Sequence, residues 1–351
     1  MKMTTVSMFL KKENNNLDFI RITCAFMVIY GHAFFLADKG SHKDIFTQLF
    51  PFTYAGAIAV KVFFFISGML VTTSLIKTRS PSIFLTSRFL RIFPAFIVTV
   101  SICALIIGPL FTNLSVSEYF SSNSVPSYIY KNIIMDIQYF LPGVFIDSAY
   151  KPAINGSLWT IPYEVASYIS LLSIFIITGM NNKLLINTIC IIIISSPLLS
   201  DGVDFITQTS NKDIYFLAPC FYLGVMYAVN SEDIKVNISI PLSFFAIFSI
   251  VPNVKLSQLF FYFGVCSMFV FIASTNLIRK IKIKNDISYG VYLWGFVVQQ
   301  IVYIQLPSLN LYSNILTSSL LTYLIATISY TYIEKPSMNV SYSIRKSFAV
   351  N

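Results

Sequence analysis

Apolar segments of membrane-spanning length recur along this chain and restrict the folds open to it. The first segment covers residues 17–37 and reads LDFIRITCAFMVIYGHAFFLA. A bilayer core about 30 Å thick is crossed by roughly 20 apolar residues in a helix, and only helices or closed barrels satisfy every backbone polar group there. Because 56% of the 351 residues are hydrophobic and only 11% are charged, the sequence predicts an all-α, polytopic bundle of transmembrane helices.

The sequence predicts about ten spanning helices. They are placed at residues 17–37, 52–75, 92–111, 158–178, 184–200, 213–230, 237–252, 256–275, 287–305 and 311–333. A further apolar stretch at 132–146 is short and contains Asp136. If this stretch does not cross, lysine and arginine concentrate on the side of the two termini, whereas a crossing would remove most of that bias. Because positive residues favour the cytoplasmic side, we expect both termini in the cytoplasm and no crossing at 132–146.

The same pattern indicates one membrane domain over residues 1–351. It comprises a cytoplasmic segment at 1–16, an external loop at 112–157 with a short interfacial or re-entrant helix, and a cytoplasmic tail at 337–351. The formal net charge of +9 comes from basic residues at the ends of apolar runs, so it indicates topology rather than nucleic-acid binding. All five cysteines lie in apolar runs without disulfide or metal-site spacing, and we expect no metal.

Two ionisable residues, Arg21 and His32, lie within the first apolar segment. Eleven steps of about 100° return to within about 20° of the starting direction, so both side chains share one helix face, about 16 Å apart along the axis. Ionisable residues in a membrane helix are costly and usually mark a function. A histidine here is either a general base for a hydroxyl acceptor or a hydrogen-bonding residue between helices.

The second spanning segment contains the run VFFFISGML at residues 62–70. Ser67 and Gly68 are small residues beneath an aromatic wall, and close helix packing is the simpler interpretation for Gly68. Lys61 is a cation inside the same segment. It either extends toward the membrane surface or contacts an anionic substrate.

Two arginines occur at the start of the third spanning segment, in the run SRFLRIFP at residues 87–94. Arg88 and Arg91 are three residues apart and therefore share a helix face. Two guanidinium groups suit bidentate phosphate recognition. The alternative is an ordinary basic anchor at the cytoplasmic boundary.

The run NGSLWTIPYEV at residues 155–165 marks the start of another span. Pro162 fits only in the first helical turn, which places Trp159 and Glu164 at the outer end, at the level of His32. Trp159 alone is typical of the aromatic belt. Glu164 within a membrane helix indicates a function, either orienting His32 or binding the acceptor.

Two motifs near the C-terminus complete the set. The run DISYGVYLWGF at residues 286–296 places Tyr289 and Tyr292 three residues apart on one helix face, where core packing explains them. The run YIEKP at residues 332–336 is interpreted as the end of the last spanning helix, at the cytoplasmic face.

Taken in order, these motifs resemble the membrane acyltransferase family 3, the integral-membrane O-acyltransferases, over residues 17–336. The shared residues are Arg21, His32, Phe64, Phe65, Ser67, Gly68, Arg88, Arg91, Pro94, Trp159, Glu164, Ser288–Trp294 and Glu334–Pro336. The resemblance implies transfer of an acyl group, usually acetyl from acetyl-CoA as co-substrate, to a hydroxyl of O-antigen, capsule, exopolysaccharide or a lipid-linked glycan. It also implies a multi-pass protein of the bacterial inner membrane.

The resemblance implies a catalytic role for His32 with support from Arg21, and it implies that Arg88 and Arg91 lie near the acyl-donor site. The other assignments below rest on the residues themselves. The catalytic residues that we infer are His32, Arg21 and Glu164. The residues inferred for the acyl-donor site are Arg88, Arg91, Ser67 and Gly68. Those assigned to acceptor binding or to structure are Trp159, Lys61, Tyr289 and Tyr292. His32 would either deprotonate the acceptor hydroxyl or carry the acyl group transiently, and both mechanisms fit the motifs.

The chain departs from the family pattern at two positions, and one other function class stays open. Many members carry histidine where this chain has Gly295, so a second catalytic histidine is excluded here. Many also carry an acidic or neutral residue in place of Lys61. The alternative function is a transporter or flippase for a glycan or lipid intermediate, whose pathway the intramembrane ionisable residues would line.

Overall fold

The structure is a computed structural model that describes residues 4–36, 42–148, 152–198 and 212–350. Helices make up most of this part of the chain, and its only paired strands are two-residue segments that form one antiparallel pair. The predicted all-α class is therefore confirmed. The strands are β1 (Thr4–Thr5) and β2 (Lys235–Val236).

The α-helices in chain order begin and end as follows. They are α1 (Val6–Phe9), α2 (Leu17–Leu36), α3 (Ile45–Leu49), α4 (Ala55–Thr78), α5 (Pro81–Ile102), α6 (Gly108–Phe111), α7 (Val116–Ser121), α8 (Ser124–Ile133), α9 (Ile161–Thr178), α10 (Lys183–Ile194), α11 (Leu217–Val229), α12 (Ser239–Ile250), α13 (Val254–Ser274), α14 (Asn276–Arg279), α15 (Ser288–Gln305), α16 (Leu311–Ser329) and α17 (Lys335–Val350). Short 3₁₀ segments cover Lys12–Asn14, Gly156–Thr160, Ser196–Leu198 and Lys212–Phe216, and π-helical turns cover Cys103–Ile107 and Tyr330–Glu334.

Six helical runs in the described residues are long and apolar enough to cross a bilayer. They are Leu17–Leu36, Ala55–Thr78, Pro81–Phe111, Gly156–Thr178, Val254–Ser274 and Leu311–Lys346. The other four predicted spans coincide with the helices α10, α11, α12 and α15, of which the first three are shorter apolar helices. The count of ten spans and the cytoplasmic position of both termini remain predictions.

Two helix ends differ from the sequence-based expectation. The third spanning helix begins at Pro81 rather than near residue 92, because proline suits a first helical position. The last helix does not end at Glu334–Pro336, so that prediction was wrong. A π-helical turn at Tyr330–Glu334 leads directly into α17. The wider turn relieves the clash that Pro336 would otherwise make with an earlier carbonyl, and the chain stays helical.

The segment between α6 and α9 contains two short helices, α7 and α8. Ser115 caps α7, and the side chain of Glu118 hydrogen-bonds back to the Ser115 backbone in a reciprocal capping box. These hydrogen bonds hold the pKa of Glu118 below its ordinary value. The apolar stretch after α8 forms no helix over residues 134–148.

The helices divide into two compact units. The first contains the described residues within Met1–Cys24, Ala57–Pro81 and Tyr163–Lys284. The second contains those within Ala25–Gly56, Ser82–Pro162 and Asn285–Asn351. The prediction of a single domain over residues 1–351 remains a prediction.

In the first unit, two glycines bring α4 and α11 into backbone contact. A Cβ on Gly68 would lie 2.0 Å from the carbonyl oxygen of Phe221, and a Cβ on Gly224 would lie 2.1 Å from that of Phe65. No larger side chain fits at either position without moving a helix backbone. Small residues that allow such close approach are typical of helix packing in membranes.

In the second unit, α15 packs against α16 through another small residue. A Cβ on Gly290 would lie 3.1 Å from the Cα of Ala326, and α15 is buried along most of its length. Because lipid is as apolar as these side chains, close van der Waals packing rather than water exclusion holds such helices together.

Replacement of Gly68 by alanine tests the helix contact in the first unit. We expect Gly68→Ala to destabilise the protein by about 1–3 kcal/mol, since the new methyl group overlaps a backbone carbonyl that cannot rotate away. Thermal unfolding in detergent micelles measures this change. Ser74→Ala, a change of similar size on the same helix, is the control, and equal stability of the two variants would contradict the packing assignment.

Candidate active site

His32 lies in the C-terminal half of α2 and belongs to the second unit. Its imidazole ring meets the ring of Phe296 edge to face, with ring centroids 5.4 Å apart and planes at 80°. The Nδ1 atom is buried and has no hydrogen-bond partner among the described residues. The imidazole is therefore held in place by packing, with a polar atom left for another molecule.

Helix α15 supplies the wall opposite His32. The side-chain amide of Gln299 donates a 2.8 Å hydrogen bond to the carbonyl of Ile29 on α2. A Cβ at Gly295 would lie 2.9 Å from the side chain of Ile29. Gly295 thus allows α15 to approach α2 near His32, at the position where many family members carry a second histidine.

The segment before α9 is fixed to the same helix by polar contacts. The buried Asn155 side chain donates a 2.8 Å hydrogen bond to the carbonyl of Leu293. The Tyr292 hydroxyl donates a 2.7 Å hydrogen bond to the carbonyl of Ser157 and lies 2.6 Å from the Thr160 hydroxyl. Tyr292 therefore holds the 3₁₀ turn that carries Trp159, which is half-buried.

Four buried polar atoms on these three elements have no hydrogen-bond partner within the described part of the chain. They are His32 Nδ1, Ser157 Oγ, Trp294 Nε1 and Gln299 Oε1. Leaving such atoms without a partner costs roughly 1–3 kcal/mol each, and buried polar groups are normally paired with protein or water. These four atoms are therefore available to a polar ligand that supplies both donors and acceptors.

Arg91 lies in a carboxylate cluster within the second unit. One guanidinium nitrogen is 3.4 Å from Asp286 and the other is 3.6 Å from Glu334, whose carboxylate is buried. The guanidinium also lies over the Tyr289 ring, 5.6 Å from its centre. The Tyr289 hydroxyl donates to the carbonyl of Ile92 at 2.9 Å. The predicted residues Arg91 and Tyr289 thus meet, with two negative charges facing one positive charge.

Ser67 and Glu164 are joined in the first unit through a residue that the sequence did not single out. The Tyr168 hydroxyl donates a 2.5 Å hydrogen bond to the Glu164 carboxylate and lies 2.8 Å from the Ser67 hydroxyl. Tyr168 itself is buried. Tyr168 follows Glu164 by four residues, so helical spacing alone would place both on one face. We refer to Ser67, Tyr168 and Glu164 as the hydroxyl chain.

Lys61 forms a buried ion pair, and its contact with a substrate remains a prediction. The side chain is only 1% exposed, so it does not reach the membrane surface. Its ammonium group forms an ion pair with Asp213 and lies 4.9 Å from the centre of the Tyr262 ring. A buried cation needs such compensation, and Lys61 therefore ties α4 to the segment before α11.

A cavity of about 330 Å³ lies beside α9 in the first unit. It is lined mainly by apolar side chains together with three serines, and one of these, Ser170, lies 2.7 Å from the Tyr222 hydroxyl. Ser67, Glu164 and Tyr168 are not among the residues that line it, so the cavity is separate from the hydroxyl chain. Among the described residues, no three His, Cys, Asp or Glu side chains are arranged to hold a metal ion.

The predicted site residues fall into both units. The first unit contains Arg21, Lys61, Ser67, Gly68 and Glu164. The second contains His32, Arg88, Arg91, Trp159, Tyr289 and Tyr292. Arg21 and His32 remain on one continuous helix, as the sequence predicts. The roles of all these residues remain predictions.

Comparison with known proteins identifies relatives along most of the chain. A family model described as an acyltransferase domain matches residues 14–333. An O-acetyl transferase of Shigella phage Sf6 is 29% identical, over 92% of this chain and 96% of that protein. Nodulation protein 10 of Rhizobium leguminosarum bv. viciae is 31% identical, over 45% of this chain and 43% of that protein. No solved structure matches.

The buried ion pair of Lys61 and Asp213 leads to a prediction about the stability of its variants. We expect Asp213→Asn to destabilise the protein by about 3–5 kcal/mol, because it leaves the buried ammonium group without compensation. The double variant Lys61→Met/Asp213→Leu is expected to lose less than this, since neither charge then remains buried. Thermal unfolding in a fixed detergent measures both.

The exposed pair of Lys183 and Asp233, 3.0 Å apart in the same unit, supplies the control for this comparison. Asp233→Asn should change stability by less than about 1 kcal/mol, as is usual for a solvated pair. If the double variant at Lys61 and Asp213 is less stable than Asp213→Asn alone, the buried-charge explanation is wrong.

Proposed function

The chain belongs to the acyltransferase family, and from this premise we propose that it is a membrane O-acetyltransferase. The donor is acetyl-CoA, and the acceptor is a hydroxyl group of a cell-surface glycan such as O-antigen, capsule or exopolysaccharide, free or lipid-linked. The name of the phage Sf6 relative, an O-acetyl transferase, supports acetyl as the transferred group and oxygen as the acceptor atom. Family membership favours this function over the transporter alternative.

The buried and unpartnered Nδ1 atom of His32 carries this proposal. A general base must reach the acceptor hydroxyl through a nitrogen that forms no hydrogen bond to the protein. His32 Nδ1 meets that condition within the described residues. Gln299 bonds the Ile29 carbonyl on the same helix as His32, and its Oε1 atom is left as an acceptor that can orient a hydroxyl group.

The reaction then requires two proton transfers, one to His32 and one from it. His32 takes the proton of the acceptor hydroxyl as its oxygen forms a bond to the thioester carbonyl carbon. The negative charge that develops on the carbonyl oxygen needs a hydrogen-bond donor, for which we propose Trp294 Nε1. Arg21, about 16 Å from His32 along the axis of α2, would act on the charged part of the donor instead. The carbon–sulfur bond breaks, and the protonated His32 returns its proton to the CoA thiolate. Transient acylation of His32 followed by transfer to the acceptor gives the same products.

The membrane arrangement follows from the charge distribution. We place both termini in the bacterial cytoplasm, with residues 337–351 as a tail, in a multi-pass protein of the inner membrane. The segment 112–157 then lies on the outer side, where its short helices rest at the interface. The CoA moiety approaches from the cytoplasm past Arg88 and Arg91, and the glycan approaches His32 from outside.

The hydroxyl chain has a supporting role in this proposal. The Glu164 carboxylate is held by Tyr168, so its second oxygen keeps a fixed direction for accepting a hydrogen bond from a substrate. Lys61 is neutralised by Asp213 and Gly68 is in backbone contact with α11, so we assign both to structure. Tyr289 and Tyr292 hydrogen-bond to backbone carbonyls and are assigned to structure as well.

Replacement of His32 tests the catalytic assignment. We expect His32→Gln to lower the rate of acetyl transfer by about 10²–10⁴-fold, the usual contribution of a general base. CoA release from acetyl-CoA by purified protein in nanodiscs gives the rate. Acetyl content of surface glycans, measured by NMR in a deletion strain that carries the variant, gives the cellular outcome. His42→Gln, which changes the exposed second histidine, is the matched control. Full activity of His32→Gln refutes the assignment.

A double-mutant cycle tests the hydroxyl chain. We expect Tyr168→Phe to lower kcat about tenfold, since Glu164 loses a charge-assisted hydrogen bond. In a Glu164→Ala background the same change should have almost no further effect, because Tyr168 acts through that carboxylate. Tyr222→Phe removes a buried hydroxyl elsewhere in the same unit and is the control. Equal losses from Tyr168→Phe in both backgrounds would rule out this coupling.

A further inference from the structure

The segment before α9 is attached to α15 by a buried glutamine, within the second unit. Gln300 donates a 2.9 Å hydrogen bond to the carbonyl of Ala153 and accepts one of 2.7 Å from the Ser148 hydroxyl. The Ile154 backbone N–H donates to the carbonyl of Tyr139 at 2.8 Å. The backbone at Tyr139 and at Ala153 is therefore fixed relative to α15.

Phe296 connects this segment to the proposed general base. Its ring meets the His32 ring edge to face, with the two centroids 5.4 Å apart. Phe296 also forms a buried apolar cluster with Leu36 and Ala153. Tyr139 packs against this cluster and is itself half-buried. An aromatic side chain of this segment therefore lies one contact away from the residue that touches His32, with part of its surface uncovered.

Two buried polar atoms lie on residues beside the same cluster. Gln299 follows Phe296 by three residues and so shares its helix face. Ser157 follows Gly156, where a Cβ would lie 2.6 Å from the Phe296 ring. Both side chains are 1% exposed, and neither Gln299 Oε1 nor Ser157 Oγ has a hydrogen-bond partner among the described residues. Such atoms indicate a ligand, because burial without a hydrogen bond is costly.

We propose that Tyr139, Ser157 and Gln299 form a subsite for the sugar ring that receives the acyl group. This inference rests on the proposed function and refines it. A sugar ring presents C–H groups on its face, which pack against an aromatic side chain, and hydroxyl groups at its edge, which donate and accept hydrogen bonds. Small-molecule sites typically combine apolar walls with a few placed polar groups in this way. In the proposed topology the segment lies on the outer side, from which the glycan approaches His32.

Phe140, the neighbour of Tyr139, has different surroundings. Its backbone pairs with Ala153 in an isolated antiparallel bridge, and its side chain is 53% exposed. Neighbouring side chains of an extended chain point to opposite faces, which agrees with the packing of Tyr139 and the exposure of Phe140. An exposed aromatic residue at this level is typical of the membrane interface. The two positions therefore allow sugar binding and membrane contact to be tested separately.

The experiment measures CoA release by the full-length protein in nanodiscs. The donor is acetyl-CoA, and the acceptor is surface glycan extracted from a strain that lacks this gene. We expect Tyr139→Ala to raise the KM for the glycan about tenfold, because the contact with the sugar face is lost, and to leave the KM for acetyl-CoA unchanged. Tyr139→Phe should keep most of the affinity for the glycan, since it retains the ring. Phe140→Ala is the matched control and should change neither KM.

Ser157→Ala adds a measurement whose sign separates ligand binding from a structural role. We expect it to raise the KM for the glycan about threefold, as for the loss of one neutral hydrogen bond. Without glycan, the thermal stability of this variant should be unchanged or higher, because a buried hydroxyl without a partner is removed. Ser87→Ala, which removes a buried hydroxyl that is hydrogen-bonded, should instead lower the stability and leave the KM for the glycan unchanged.

The outcomes distinguish this subsite from the proposed function. A wild-type KM for the glycan in both Tyr139→Ala and Ser157→Ala overturns the subsite. An equal rise of that KM in Tyr139→Ala and Phe140→Ala also overturns it, and assigns both aromatic residues to the membrane interface. Absence of CoA release by the wild type in the presence of the glycan would instead refute the proposed function.

Discussion

The structure depends on the requirement that polar groups inside an apolar protein find partners within the protein. The hydroxyl chain, the ion pair of Lys61 and the carboxylate cluster around Arg91 are each solutions to that requirement. In each, the groups are buried or half-buried, and at least one contact joins two different helices or segments. His32 differs from these residues, since its buried Nδ1 atom has no partner within the described part of the chain.

The contrast separates residues that hold the fold from residues placed for chemistry. Gly68 and Tyr292 belong to the first class, because their surroundings are complete without a ligand. We propose that His32 and Trp294 belong to the second class, because burial has removed water from one polar atom of each without supplying a protein partner. Arg91 has its charge compensated by Asp286 and Glu334.

The sequence was sufficient for the all-α class, for the course of α2 with Arg21 and His32, and for the start of α9 near Pro162. These features depend on local hydropathy and helical spacing, which a single chain displays directly. It was insufficient for Asp213 and Arg345, because each is recognised only through a partner more than a hundred residues away. The prediction that the last helix ends at Pro336 was wrong. Proline normally ends a helix, but the π-helical turn before Pro336 lets this helix continue.

The π-helical turn at Tyr330–Glu334 has a consequence for how α17 is oriented. Such a turn holds one residue more than the helix around it, so everything that follows is rotated by about 100° about the axis. Ser341 and Arg345 therefore reach Ser87 only because of that extra residue. The gain or loss of one residue in this turn would rotate the C-terminal part of the helix to another direction about its axis. Homologues with a different number of residues in this turn are therefore expected to carry their basic C-terminal residues at other positions along the helix.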